Sequence, residues 1–227
     1  MKLPAPFRQT ITSSFGSEGA AWLERLPALI ADCERRWSLI AGPHFDELSY
    51  NFVAPALLDD GTEIVLKLGV PRAELLSEAA ALQHYGGIGS VRLMDAAPEE
   101  GILLLERLRP GDVLATLWPE QDDEATRIAA NVMHQLWRPV AADHTFVTVQ
   151  DWFRGFGHLR QEFNGGSGPF PAHLVNQAEM LYDDLQTSMN ELVLLHGDLH
   201  HFNILSATRR PWLAIDPKGV VGEAAYD

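Results

Sequence analysis

The chain has 227 residues, of which 46% are apolar and 21% charged, enough to bury a sizeable core in one domain or two small lobes. Its formal net charge is -14, with no cluster of Lys and Arg, which excludes a phosphate-backbone partner and leaves an acidic surface compatible with a cationic ligand. The longest apolar runs, such as Ile102 to Leu105 and Leu192 to Leu195, are far too short to span a bilayer. Met1 to Pro6 lacks the apolar stretch of a secretory signal, and the single cysteine, Cys33, cannot form an internal disulfide, so a reducing cytoplasm is the expected location.

In chain order, Ser17-Glu18 reads as a helix start, with Ala21, Trp22, Leu26, Leu29 and Ile30 following at helical spacing and Pro27 expected to kink or split the helix. Ser49 to Leu57 and Glu63 to Leu68 flank the turn residues Asp59-Asp60-Gly61 and read as a hairpin. Its second strand sets Ile64, Leu66 and Leu68 on one face and Val65 and Lys67 on the other. A helix follows from Arg72 to Tyr85, with Leu75, Leu76, Ala79 and Leu82 as its apolar stripe and Gly86-Gly87 as its stop. Val91 to Met94 and Ile102 to Leu105 read as two further strands.

After a connector over Glu106 to Gly111 the texture becomes helical: Glu120 to Trp137, Val149 to Phe163 and Ala172 to Asn190, the last two separated by a Gly-rich loop. Short strand-like segments at Leu192 to Asp198, Asn203 to Leu205 and Trp212 to Asp216 close the chain. The expected architecture is α+β and bilobal: a β-rich lobe over 1–105, the connector over 106–111 and a helical lobe over 112–227.

The strongest chemical signal is His196-Gly197-Asp198-Leu199-His200-His201-Phe202-Asn203, with Asp216 following 13 residues after Asn203. Phosphoryl transfer from ATP needs a carboxylate beside the attacking hydroxyl and oxygen ligands for magnesium on the phosphates. Asp198 suits the first role, and Asn203 with Asp216 the second. Any one of these residues alone is as well explained by turn formation; the ordered set is not. Lys67 lies within an apolar strand, where a charge must be paired or face a polar cleft. Glu74 and Glu78 on the next helix are its candidate partners. Glu78 sits deeper in the apolar stretch and is preferred, whereas Glu74 also suits the helix dipole.

Three segments, His196 to Leu205, Ile215-Asp216-Pro217-Lys218-Gly219 and Leu103 to Gly111, together resemble the aminoglycoside phosphotransferase superfamily, in its streptomycin 6-kinase and hydroxyurea-kinase branch. The resemblance runs from about Trp37 to the last residue. It implies a protein-kinase-like fold with ATP in the cleft, adenine against the connector backbone at Glu106 and Leu108, Asp198 as base, and Asn203 and Asp216 on Mg2+. The acceptor it implies is a hydroxyl of a small molecule, here an aminoglycoside such as streptomycin; the alternatives are hydroxyurea, a metabolite alcohol, or an inert binding protein that keeps the fold.

The chain departs from the family pattern at two places. No G-x-G-x-x-G loop is present, so Ser49 to Asn51 are the residues expected to cover the phosphates. The sequence stops at Asp227, at the place where relatives use a carboxylate to brace the catalytic loop and then continue into further helices. A truncated or fragmentary chain with part of the larger lobe uncovered is the expectation. His196 and His200 have zinc-like spacing, but Gly197 breaks the helix such a site requires.

Overall fold

In the computed structural model, which describes residues 2–189 and 191–227, the chain opens with helix α1 (Ala5–Trp37). The helix starts 12 residues before the Ser17 expected from sequence, and its one non-helical residue is Gly16, at φ 56° and ψ -134°. The backbone remains helical through Pro27, so the expected kink is displaced to the residue with no Cβ. Buried Phe7, Ile11, Trp22, Leu26 and Cys33 line one side of α1, and Phe7 meets Trp22 edge to face at 6.3 Å. Burial pushes the Cys33 thiol up to about 11, so it is a packing group.

Strands β1 (Leu39–Ala41), β2 (Phe52–Leu58) and β3 (Glu63–Leu68) follow, then helix α2 (Ala73–Tyr85) and strands β4 (Leu93–Ala97) and β5 (Ile102–Glu106). They form one antiparallel sheet in the order β1-β2-β3-β5-β4. The β2–β3 turn is closed by Asp60, whose Oδ1 accepts the Thr62 N–H at 2.8 Å, while Gly61 takes φ 85°. Ile64, Leu66 and Leu68 pack toward α1, which turns the other face of β3, carrying Val65 and Lys67, toward the cleft. On α2, Leu75, Ala79 and Leu82 are buried, but Leu76 is 41% exposed: the stripe passes through Glu78 and Ala81 instead. The strand expected at Val91 to Met94 begins two residues later, because Ser90 and Val91 pair with the far lobe: the Val91 N–H donates to Ala214 O at 2.8 Å.

The larger lobe comprises β6 (Pro110–Val113), α3 (Asp122–Leu136), β7 (Arg138–Pro139), β8 (Val147–Thr148), α4 (Val149–Glu162), α5 (Ala172–Ser188), β9 (Leu192–Leu195), β10 (Ile204–Ala207), β11 (Trp212–Ala214) and β12 (Val220–Glu223). Asn190, where the third helix was expected to end, lies outside the described residues. Two small sheets result, ordered β11-β10-β6 and β7-β9-β12-β8. A capping box opens α4, with Thr148 Oγ1 accepting the Asp151 N–H and the Asp151 carboxylate accepting the Thr148 N–H. Helix α5 keeps Val175 buried and leaves Leu174, Met180, Leu181 and Leu185 exposed. Ala81 and Tyr85 of α2 pack with Leu114, Val132 and Leu194, so α2 bridges the two lobes. Among the described residues, no helix is long and apolar enough to cross a membrane.

Candidate functional site

Two cavities adjoin between the lobes. The first, of about 500 Å³, is walled by Val53, Val65, Val91, Leu105, Leu108 and Ile215, with Glu106 at its connector edge. The second, of about 330 Å³, is polar and holds Asp198, Asn203, Glu74, Glu78 and Lys218. Ser49, Asn51, Lys67 and Asp216 line both, so the apolar and polar halves of the cleft meet at those four residues.

Lys67 is 2% exposed and places Nζ 2.7 Å from both Glu78 oxygens and 3.1 Å from Asp216 Oδ1. Burial works against its charge, but Asp216 and Glu78 outweigh it and hold the ammonium well above its ordinary range. Burial also pushes the Glu78 carboxyl up to about 7, against the pull of Lys67. Asp216 is pressed the same way by its surroundings, yet Lys67 keeps it below the usual carboxylate range. Glu74 does not reach Lys67; it pairs with Lys218, while Ser77 Oγ donates to Lys218 O at 2.8 Å and so ties α2 to the segment after Asp216. Asp216 itself sits at φ 59°, an uncommon left-handed conformation for a non-glycine residue.

The loop from His196 to Asn203 leaves β9 as soon as the strand's buried leucines end. His196 is fully buried: Nε2 donates to Ile215 O at 2.8 Å and Nδ1 accepts the Asp198 N–H at 3.3 Å. Both ring nitrogens are therefore engaged, and burial lowers the imidazole below its ordinary value. His196 and His200 do not converge on one site. Gly197 takes φ 79°, where a Cβ would also press on Val220. The Asp227 carboxylate accepts the His196 and Gly197 N–H groups at 2.9 and 2.7 Å and also the Trp137 indole N–H at 3.2 Å. Asn203 Nδ2 donates to Asp198 O at 3.0 Å and lies 3.3 Å from His200 Nε2, so its amide nitrogen is engaged within the loop. The Asp198 side chain is 47% exposed, 3.9 Å from His200 Nε2.

The connector is clasped from behind by a residue that sequence reading missed. Arg209, in the turn between β10 and β11, donates to both Glu106 oxygens at 2.8 Å, to Gly87 O at 2.6 Å and to Ser90 O at 3.1 Å. Burial opposes ionisation of Glu106, but Arg209 and the Arg92 N–H outweigh it and hold the carboxyl low. The Glu106 side chain is thus committed to the scaffold, and Leu108, 6% exposed, closes the apolar cavity. An arginine in a tight turn was the only signal for this contact, and its partner lies 103 positions away.

The geometry agrees with what comparison with known proteins shows. The family model described as aminoglycoside/hydroxyurea antibiotic resistance kinase matches residues 37–227. A streptomycin 6-kinase of Streptomyces glaucescens is 34% identical over 234 aligned positions that take in all of this chain and 73% of that protein. A hydroxyurea phosphotransferase of Kitasatospora aureofaciens is 32% identical and is covered over 66% of its length by all of this chain. Among solved structures, an aminoglycoside-3'-phosphotransferase of type VIII superposes with a TM-score of 0.55 at 20% identity, over 87% of this chain and 78% of that one, which shows the fold. A two-lobed α+β fold, an interlobe cleft with a lysine held by two carboxylates, and a family match over most of the length lead to one conclusion: the chain belongs to the aminoglycoside/hydroxyurea antibiotic resistance kinases and is a phosphotransferase on the protein-kinase-like fold.

Proposed function

We propose that this kinase transfers the γ-phosphoryl group of ATP to a hydroxyl of a small cationic acceptor, an aminoglycoside of the streptomycin type. The observation that carries the reading is the junction of an apolar cavity and a polar one at Lys67 and Asp216, with Asp198 in the polar half. Adenine fits the apolar half, between Val65 and Leu105 and against the connector backbone at Glu106 and Leu108. Lys67, oriented by Glu78, contacts the α- and β-phosphates at the junction, with Ser49 over them. Asp216 and the Asn203 amide oxygen are hard oxygen donors of the kind magnesium takes, and among the described residues no thiolate lines their cavity. Magnesium held there would neutralise charge on the phosphates.

Asp198 then orients the acceptor hydroxyl. Its oxygen bonds to the γ-phosphorus as the bond to the β,γ-bridging oxygen breaks; ADP leaves with that electron pair, and the hydroxyl proton passes to the Asp198 carboxylate. A hydroxyurea acceptor would use the same machinery, and the likeness to a hydroxyurea phosphotransferase keeps it as the second reading. The net charge of -14 is compatible with the cationic acceptor. ADP release measured with ATP, magnesium and either streptomycin or hydroxyurea tests the proposal. We expect streptomycin-dependent release that stops in EDTA and returns with added magnesium. Release that survives EDTA, or none with either acceptor, would overturn it.

A further inference from the structure

The break in α1 sits beside the cleft. Gly16 is exposed, and a Cβ there would meet nothing within 4 Å, so the glycine is not required by packing. Its φ of 56° with ψ of -134° is a conformation that side-chain-bearing residues avoid, and it ends the first half of α1 at Phe15. Phe15 lines the polar cavity that contains Asp198. Its ring meets Tyr50 edge to face at 6.5 Å, and the Arg72 guanidinium lies over it at 4.9 Å. Glu18, just past the break, pairs with Arg72 at 2.8 Å, so both halves of α1 hold the N-terminal end of α2. Phe15 and Gly16 precede residue 37, where the family match begins.

The charges around the cavity leave a simple remainder. Arg72 is paired with Glu18, Lys218 with Glu74, and Lys67 with Glu78 and Asp216. Among the described residues, Asp198 is the carboxylate of this cavity with no Lys or Arg partner. The uncompensated charge facing the acceptor is therefore negative, and the same cavity is lined by two aromatic rings: Phe15, whose face carries the Arg72 guanidinium, and Tyr50, 55% exposed. The exposed Tyr50 ring, in a cavity with a lone carboxylate, suits a ligand with a cationic group on a cyclic body, since the cation gains from both the ring quadrupole and the charge.

We infer that Phe15 and Tyr50 form the specificity wall for the acceptor: α1 breaks at Gly16 to set Phe15 behind Tyr50, and the pair selects a cationic ring-bearing alcohol over a small neutral one. The inference rests on the phosphotransfer reading above and deepens it.

Streptomycin and hydroxyurea are the probes, with Phe15→Ala, Phe15→Leu and Tyr50→Ala as the variants. Each acceptor's KM is read in turnover, and streptomycin Kd is read calorimetrically without nucleotide. We expect Tyr50→Ala and Phe15→Ala to raise streptomycin KM and Kd by about five- to tenfold, the loss of one aromatic contact. In the Phe15 variants the KM for ATP should stay within about twofold on the same scale. Tyr50 has no place in the buried core, so its variant reads the wall even if Phe15→Ala loosens the lobe; Phe15→Leu keeps that packing and should still show the defect. A parent that binds streptomycin but phosphorylates neither probe sinks the phosphotransfer reading and leaves the wall to be read from Kd. A parent that phosphorylates streptomycin, with KM and Kd unchanged in all three variants, sinks the wall alone, as does an equal rise in the KM for ATP in the Phe15 variants. Absence of streptomycin binding by the parent sinks the wall as well.

Discussion

Lys67 Nζ reaches Asp216 Oδ1 at 3.1 Å across the seam between β3 of one lobe and the loop after β11 of the other. The same ammonium holds both oxygens of Glu78, so a single cation ties together a strand, a helix and the far lobe. Breaking a buried pair leaves an uncompensated charge and costs about 3–5 kcal/mol. Lys67→Ala and Glu78→Ala should each lower the unfolding free energy and weaken ATP binding, the glutamate variant less. Because Glu78 acts on the nucleotide through Lys67, the double variant should cost less than the sum of the singles. Strictly additive losses in a double-mutant cycle would show that the two act separately.

Asp198→Asn keeps the size of the side chain and its backbone hydrogen bonds but removes the proton acceptor. We expect kcat to fall by about two to four decades with ATP affinity nearly unchanged. A kcat within a few-fold of the parent would remove Asp198 from the role of base.

Arg209→Met should release the connector. The Glu106 carboxylate, 19% exposed, would lose its cation and two charge-assisted hydrogen bonds, at a cost of about 2 kcal/mol. The KM for ATP should rise while the acceptor Kd measured without nucleotide stays level, and Arg209→Lys should restore only part, since an ammonium cannot reproduce the planar fork. Equal rises in both constants would point to general loosening.

Asp227→Ala removes the acceptor of two backbone N–H groups and one indole N–H. Leaving buried donors unmet costs about 1–3 kcal/mol each. The turn that carries Asp198 should lose its geometry, so kcat falls while the KM for ATP, set mostly by the other lobe, changes little. Hydrogen exchange at His196 and Gly197 should accelerate in this variant; unchanged protection there would refute the brace.

The pH dependence of stability should carry the signature of His196. Its pKa in the folded chain is below the ordinary 6.5, so neutral His196 contributes stability that is fully present above 6.5 and lost as the pH falls through the lower folded value. Protonation would also place a hydrogen on Nδ1, which now accepts from the Asp198 N–H. Glu78 acts in the opposite sense between 4.5 and about 7, which is why the comparison must be with a variant. His196→Gln should unfold with a flatter pH dependence below 6.5 than the parent; parallel curves would exclude the histidine as the source.

Local pattern was enough for much of this protein. The β2–β3 hairpin, α2 and the order Lys67, Glu78, Asp198, Asn203, Asp216 are legible in the sequence, because alternation, helical spacing and turn residues act over a few neighbours. Strands of two to four residues, such as β7, β8 and β12, carry too few positions to show alternation and exist only through their partners. Glu78, preferred over Glu74 from its place in the apolar stretch, does reach Lys67, and tertiary structure added that Glu74 is held by Lys218 instead. It also decided that α1 breaks at Gly16, that Leu76 faces water, and that Arg209 clasps Glu106. Each of those outcomes depends on groups distant in the chain and adjacent in space, and packing sets them where local preference is silent.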